Sequence, residues 1–126
     1  MKFFPDSSVV SDVLPSANYG DRRSGRAPDM IVLHYTGMND AEVAIRRLTV
    51  AGTEVSAHYI VREDGRIIQS VPENLRAWHA GAGTWGTETD VNSSSIGVEI
   101  GSRKRWMHNS MTVTPALSLA AASVKR

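Results

Sequence analysis

Residues 30–35 read Met-Ile-Val-Leu-His-Tyr, and residues 95–100 read Ser-Ile-Gly-Val-Glu-Ile. In neither segment do apolar and polar residues alternate, as they would in a strand with one wet face. The apolar residues run together, which predicts two strands with fully buried character. Each strand then carries one residue that a core should not hold, His34 in the first and Glu99 in the second. A buried carboxylate costs several kcal/mol unless something compensates it, so Glu99 is either functional or at a sheet edge. His34 is either held by an internal hydrogen bond or faces a cleft.

The elements around these strands are consistent with one domain. Asn39 or Asp40 can cap a helix over 41–50, with Val43 and Leu48 on one face and acids in its first turn. Residues 57–63 and 66–72 flank Asp64-Gly65, a glycine turn of the kind that closes a hairpin. Residues 72–86 read as a short turn or helical bend followed by a glycine-rich loop. Ahead of all this, residues 1–29 contain Pro5, Pro15 and Pro28 among many turn formers and read as an irregular lead-in. Strands interleaved with a helix argue for an α/β domain built on a mixed β-sheet over residues 30–100.

Composition excludes several classes. A chain of 126 residues with 41% hydrophobic and 21% charged residues is one soluble globular domain. No apolar run approaches the roughly 18–20 residues of a membrane span. The start, Met-Lys-Phe-Phe-Pro-Asp, is no secretory segment, so a cytoplasmic location is expected. Without cysteine there is no disulfide and no thiolate, and any metal must be held by histidine and carboxylate. Charge is unevenly spread. Residues 1–100 carry 9 basic and 13 acidic side chains, whereas residues 101–126 carry 5 basic and none acidic. Arg103–Arg105 read as a solvated charge run rather than a nucleic-acid surface. A short helix capped by Thr114, with Pro115 in its first turn, is the one element this tail suggests.

Three groups stand out as chemistry: His34 at a strand end, Trp78-His79-Ala80-Gly81 in the loop, and Glu99. Hydrolysis of an amide by a zinc enzyme needs such a kit. The metal polarises the carbonyl and acidifies a water, a carboxylate moves the proton, and an apolar wall orients a long substrate. Taken singly, His34 and Trp78 are as readable as core residues, and His58 and His108 have no special context.

Together, however, "PDMIVLHYTGM", "VSAHYIVREDGRIIQSVPENLRAWHAG" and "NSSSIGVEI" occur in an order and register that resembles the zinc-dependent N-acetylmuramoyl-L-alanine amidases of the type 2 family, the AmpD and AmiD group. The resemblance covers roughly residues 4–100. It implies a mixed sheet flanked by helices, a fold shared with peptidoglycan recognition proteins. It also implies one zinc ion with His34 as a ligand, Glu99 as the carboxylate that activates water, and Trp78, His79, Ala80 and Gly81 lining a groove for peptidoglycan fragments or muropeptides. The substrate bond would join N-acetylmuramic acid to L-alanine.

The family pattern ends with His-Ser-Asp followed by Lys-x-Asp-Pro-Gly, which supplies the remaining two ligands. After Ile100 this sequence has His108, no aspartate and neither motif. The expectation is therefore a fold whose C-terminal portion is incomplete, with residues 101–126 a divergent basic tail of the kind a shifted reading frame produces. Such a chain would be a weak or inactive amidase. The alternative is a non-catalytic peptidoglycan-binding domain.

Overall fold

The two apolar runs pair directly. In the computed structural model, β3 (Met30–Tyr35) and β7 (Ser95–Ile100) lie side by side and parallel, with His34 opposite Glu99. The structure describes residues 1–38, 40–101 and 117–119. Around this pair the chain builds a six-stranded mixed sheet in the order β1-β5-β4-β7-β3-β8. Its other members are β1 (Asp12–Val13), β4 (Tyr59–Val61), β5 (Ile67–Gln69) and β8 (Leu117–Leu119). β4 runs parallel to β7 and antiparallel to β5, while β8 closes the far edge antiparallel to β3. The two central strands thus have backbone partners on both edges.

The predicted hairpin is present as β4 and β5, each three residues long. Its loop closes through Arg62 N–H on the Arg66 carbonyl, and Gly65 at φ 87° takes the left-handed position that a side chain would resist. Helix α1 (Ala41–Thr49) starts at Asp40, whose side chain accepts from the Glu42 N–H. Its buried face is Ala44, Ile45 and Leu48, and Ile45 and Leu48 pack with Ile60 and Ile68 of the sheet, flanked by Val55. The expectation that Val43 shares the face of Leu48 is corrected: Val43 is 54% exposed. A spacing of five residues leaves the two side chains well apart around a 3.6-residue turn, whereas Ala44 and Leu48 stand four apart.

Two further departures concern short elements. The segment expected as a bend after residue 72 contains strand β6 (Leu75–Ala77), which pairs antiparallel with β2 (Tyr19–Asp21) in a separate two-stranded sheet. The lead-in therefore holds strands β1 and β2, besides a 3-10 turn at Arg23–Gly25, alongside irregular chain. A four-residue helix, α2 (Val91–Ser94), precedes β7. The helix expected near Thr114 and Pro115, and the basic run Arg103–Arg105, lie outside the described residues.

The sheet has two different faces. Val32, His34, Ile60, Ile68, Gly97 and Glu99 share the side on which α1 packs. The opposite side carries an open apolar groove of about 770 Å3, lined by residues that include Ile31, Tyr59, Val61, Ile67, Ile96 and Val98. Among the described residues no helix is long and apolar enough to cross a membrane.

Candidate active site

Because side chains alternate along a strand, Val32 and His34 point to the same face of β3, with Val32 in the core and His34 beyond it. Parallel register puts Glu99 beside His34, with backbones roughly 5 Å apart. The pair sits at the carboxyl ends of β3 and β7, where open α/β sheets characteristically leave a crevice. Here that crevice is a cavity of about 260 Å3, lined by His34, Trp78, His79 and Glu99 together with Arg47, Leu48, Val55 and others.

The WHAG segment is brought to this cavity by its backbone. Trp78 N–H donates to Ser56 Oγ, and the Trp78 carbonyl accepts from Ser56 N–H. The buried Asn92 Oδ1 accepts from both the His79 and the Ala80 N–H, at 3.0 and 2.9 Å. Trp78 and His79 line the cavity, whereas Ala80 and Gly81 are not among its lining residues. His79 Nδ1 lies 2.9 Å from His34 Nε2, and His79 Nε2 lies 3.0 Å from Ser95 Oγ. The two rings meet edge-on, with centroids 5.1 Å apart.

A third imidazole, His58, stands 6.0 Å from His79 between ring centroids, yet it belongs to the scaffold. It is fully buried. Its Nδ1 accepts from Gly97 N–H at 2.9 Å, so a neutral ring must carry its proton on Nε2, which donates to the Leu75 carbonyl. Burial pushes its pKa down to about 4, against the opposing pull of the Leu75 carbonyl. Arg22 closes this region from behind. Its guanidinium donates to the carbonyls of Glu73, Asn92, Ser93 and Ser95, tying β6 to the turn that leads into β7. Burial lowers Arg22 to about 10, which leaves it charged at neutral pH.

Electrostatics separates the groups of the cavity. Burial pushes the Glu99 carboxyl up to about 7, with Arg47 of α1 pulling it back. Burial also lowers His34, and burial together with the neighbouring His58 and His34 holds His79 well below the ordinary histidine range. The cavity therefore contains neutral imidazoles and a carboxyl poised between its two states at pH 7. Such a combination is chemically suited to moving a proton. Sequence reasoning had singled out His34, Glu99, Trp78 and His79, but not Arg47, Ser95 or Asn92. Arg47 had a signal in retrospect, since it lies three residues after the buried Ala44 on α1.

A catalytic zinc takes three protein ligands and a water. Among the described residues no group of three His, Cys, Asp or Glu is arranged to hold a metal ion. His34 is beside Glu99, but its Nε2 is engaged with His79. The described residues therefore do not form the three-ligand set.

Comparison with known proteins matches residues 24–125 to the family described as N-acetylmuramoyl-L-alanine amidase, so the match extends across the segment that composition sets apart. The 1,6-anhydro-N-acetylmuramyl-L-alanine amidase AmpD of Escherichia coli (strain K12) is 32% identical over 104 residues, covering 69% of this chain and 57% of that protein. The N-acetylmuramoyl-L-alanine amidase AmiD of the same strain is 41% identical over 81 residues, covering 59% of this chain and 28% of AmiD. The chain thus spans little more than half the length of the AmpD relatives it matches. Among solved structures, a selenomethionine derivative of AmpD superposes with a TM-score of 0.67 at 27% identity, covering 86% of this chain and 66% of that one. The complex of E. coli AmiD with anhydro-N-acetylmuramic acid-L-Ala-D-gamma-Glu-L-Lys gives a TM-score of 0.52 at 38% identity, covering 64% of this chain and 34% of AmiD.

Proposed function

The chain belongs to the N-acetylmuramoyl-L-alanine amidase family, and from that premise we propose that its cavity acts on the amide between N-acetylmuramic acid and L-alanine in peptidoglycan fragments or muropeptides. The observation that carries this reading is the pairing of His34 with Glu99 at the mouth of one cavity. Water attacks the lactyl carbonyl, Glu99 takes its proton, and the same carboxyl returns a proton to the alanine nitrogen as the C–N bond breaks. A pKa near 7 lets Glu99 serve as base and then as acid at neutral pH. Trp78 and His79, which line the cavity, flank the substrate's path. The expected cytoplasmic location and the recycling of muropeptides go with this reading, and fractionation of the host cell would measure it.

Zinc, when bound in amidases of this type, polarises the scissile carbonyl and acidifies a water. In this chain the resemblance assigns His34 to it, and further ligands must come from outside the described residues. The isolated chain is accordingly a weak catalyst, with well under one zinc per chain after removal of loosely held metal. The lack of a three-ligand set among the described residues favours a second reading, a domain that binds peptidoglycan fragments without cleaving them.

One experiment separates the two. Purified chain is incubated with an anhydro-muramyl peptide and excess zinc, and free stem peptide and bound ligand are both followed. Slow release that falls roughly 10²–10⁴-fold in Glu99→Gln supports the amidase. Binding without release supports the second reading, and neither binding nor release overturns both.

A further inference from the structure

We infer that His79, backed by Ser95, is a positioning residue that holds His34 in a single neutral tautomer, with the proton on Nε2 and Nδ1 left unprotonated. The argument begins at a carbonyl. The Val91 carbonyl can only accept, and Ser95 Oγ lies 2.5 Å from it, so the single hydroxyl proton of Ser95 is committed there. Toward His79 Nε2, 3.0 Å away, Ser95 Oγ then has only lone pairs to offer, so His79 Nε2 must be the donor. A neutral imidazole carries one proton. His79 Nδ1 is therefore a lone pair, and His34 Nε2, 2.9 Å from it, must donate. If His34 held its proton on Nδ1 instead, two lone pairs would face each other at hydrogen-bond distance. A cationic His79 would escape this logic, but burial disfavours the charged ring, His58, His34, Arg22 and Arg76 would repel it, and it has no acidic hydrogen-bond partner among the described residues.

The ring that does this is clamped rather than free to turn. A Cβ built on Gly97 would come within 2.3 Å of His79 Cγ and Cδ2, so the imidazole lies directly against the strand backbone. Asn92 Oδ1 fixes the His79 main chain by accepting its N–H. The direction of every proton from the Val91 carbonyl to His34 is thus set by the turn that precedes β7. His34 Nδ1 has no hydrogen-bond partner among the described residues. It is the nitrogen left for an occupant of the cavity, as an acceptor rather than a donor. This assignment deepens the reading of His34 as a functional residue, but its measurement needs no turnover.

Ring-nitrogen NMR of the full chain labelled with 15N histidine reads the tautomers directly. In the unaltered protein, His34 is expected as the Nε2–H form, with His58 in the same tautomer as an internal sign that the fold is intact. In His79→Leu, His34 is expected to become a mixture containing the Nδ1–H form, while His58 is unchanged. In His79→Asn, an amide oxygen near the former Nδ1 restores the acceptor, and the single tautomer returns. A His34 that is Nδ1–H or mixed in the unaltered protein overturns the inference. So does a His34 that keeps pure Nε2–H in His79→Leu with His58 intact. If His79→Leu loses the His58 signal, the unaltered protein and His79→Asn decide. Loss of amide hydrolysis alone would count against the proposed function and leave this assignment standing.

Discussion

His34 and His58 are both neutral imidazoles on the same face of one sheet, and they do opposite work. His58 has both ring nitrogens committed within the scaffold, Nδ1 to Gly97 N–H and Nε2 to the Leu75 carbonyl, with the Arg22 guanidinium 3.1 Å from Nε2. It is a bolt between β4, β6 and β7. His34 commits only one nitrogen, to a side chain that is itself oriented, and lines a cavity beside a carboxyl of raised pKa. Burial and a lowered pKa are common to the two and do not distinguish them. The count of committed ring nitrogens does.

The comparison can be broken most directly at the bolt. His58→Leu leaves the Gly97 N–H and the Leu75 carbonyl buried without partners, each worth about 1–3 kcal/mol. A loss of about 3 kcal/mol or more in urea unfolding is expected, a large part of a typical 5–15 kcal/mol margin. A loss under 1 kcal/mol would return His58 to the ordinary polar residues. Gly97→Ala should cost about 1–3 kcal/mol, since the new methyl overlaps the His79 ring. It should also disturb the His34 tautomer, which a purely local strain would not do.

Stability against pH sharpens the contrast further. His58 is lowered from 6.5 to about 4 on folding, so its contribution is present above 6.5 and lost as pH falls through 4. Glu99 is raised from 4.5 to about 7, so its contribution is present below 4.5 and lost as pH rises through 7. His34 and His79, also lowered by burial, add to the acid loss, so melting temperature should be highest near pH 6.5 and decline on both sides of it. Glu99→Gln should flatten the alkaline limb alone, and an unchanged alkaline limb would reject the raised pKa. The smallest effect on stability belongs to His34→Ala, about 1 kcal/mol for one partly buried hydrogen bond. If its cost matched that of His58→Leu, the division between bolt and tool would fail.

Much of the scaffold was legible because it is written in contiguous residues. The bounds of β3 and β7 follow from their apolar runs, the start of α1 from Asn39 or Asp40, of which Asp40 is the cap, and the hairpin from Asp64-Gly65. Strands β2 and β6 were not legible. Each is three residues long and they pair across more than fifty positions, so neither segment carries a periodic signal of its own. The same holds for Arg22, whose partners are carbonyls of residues 73, 92, 93 and 95 and whose local sequence looks like a turn.

In the site, His34, Glu99 and the Trp78-His79 pair could be named from residue type and position, because a charge or a ring inside an apolar strand is visible in one dimension. Which histidine is scaffold and which is available could not. That depends on where Gly97, Leu75 and Ser95 arrive in space. The sequence by itself determined strands β3 and β7, the β4–β5 hairpin and the polar residues that break the core pattern, since these are local matters of propensity and burial. Tertiary structure alone decided the pairing of His34 with Glu99, the isolation of His58 and the proton directions through His79. Hydrogen bonds act over about 3 Å, and only the folded chain brings His34, His79 and Ser95 that close, with Glu99 in register beside His34.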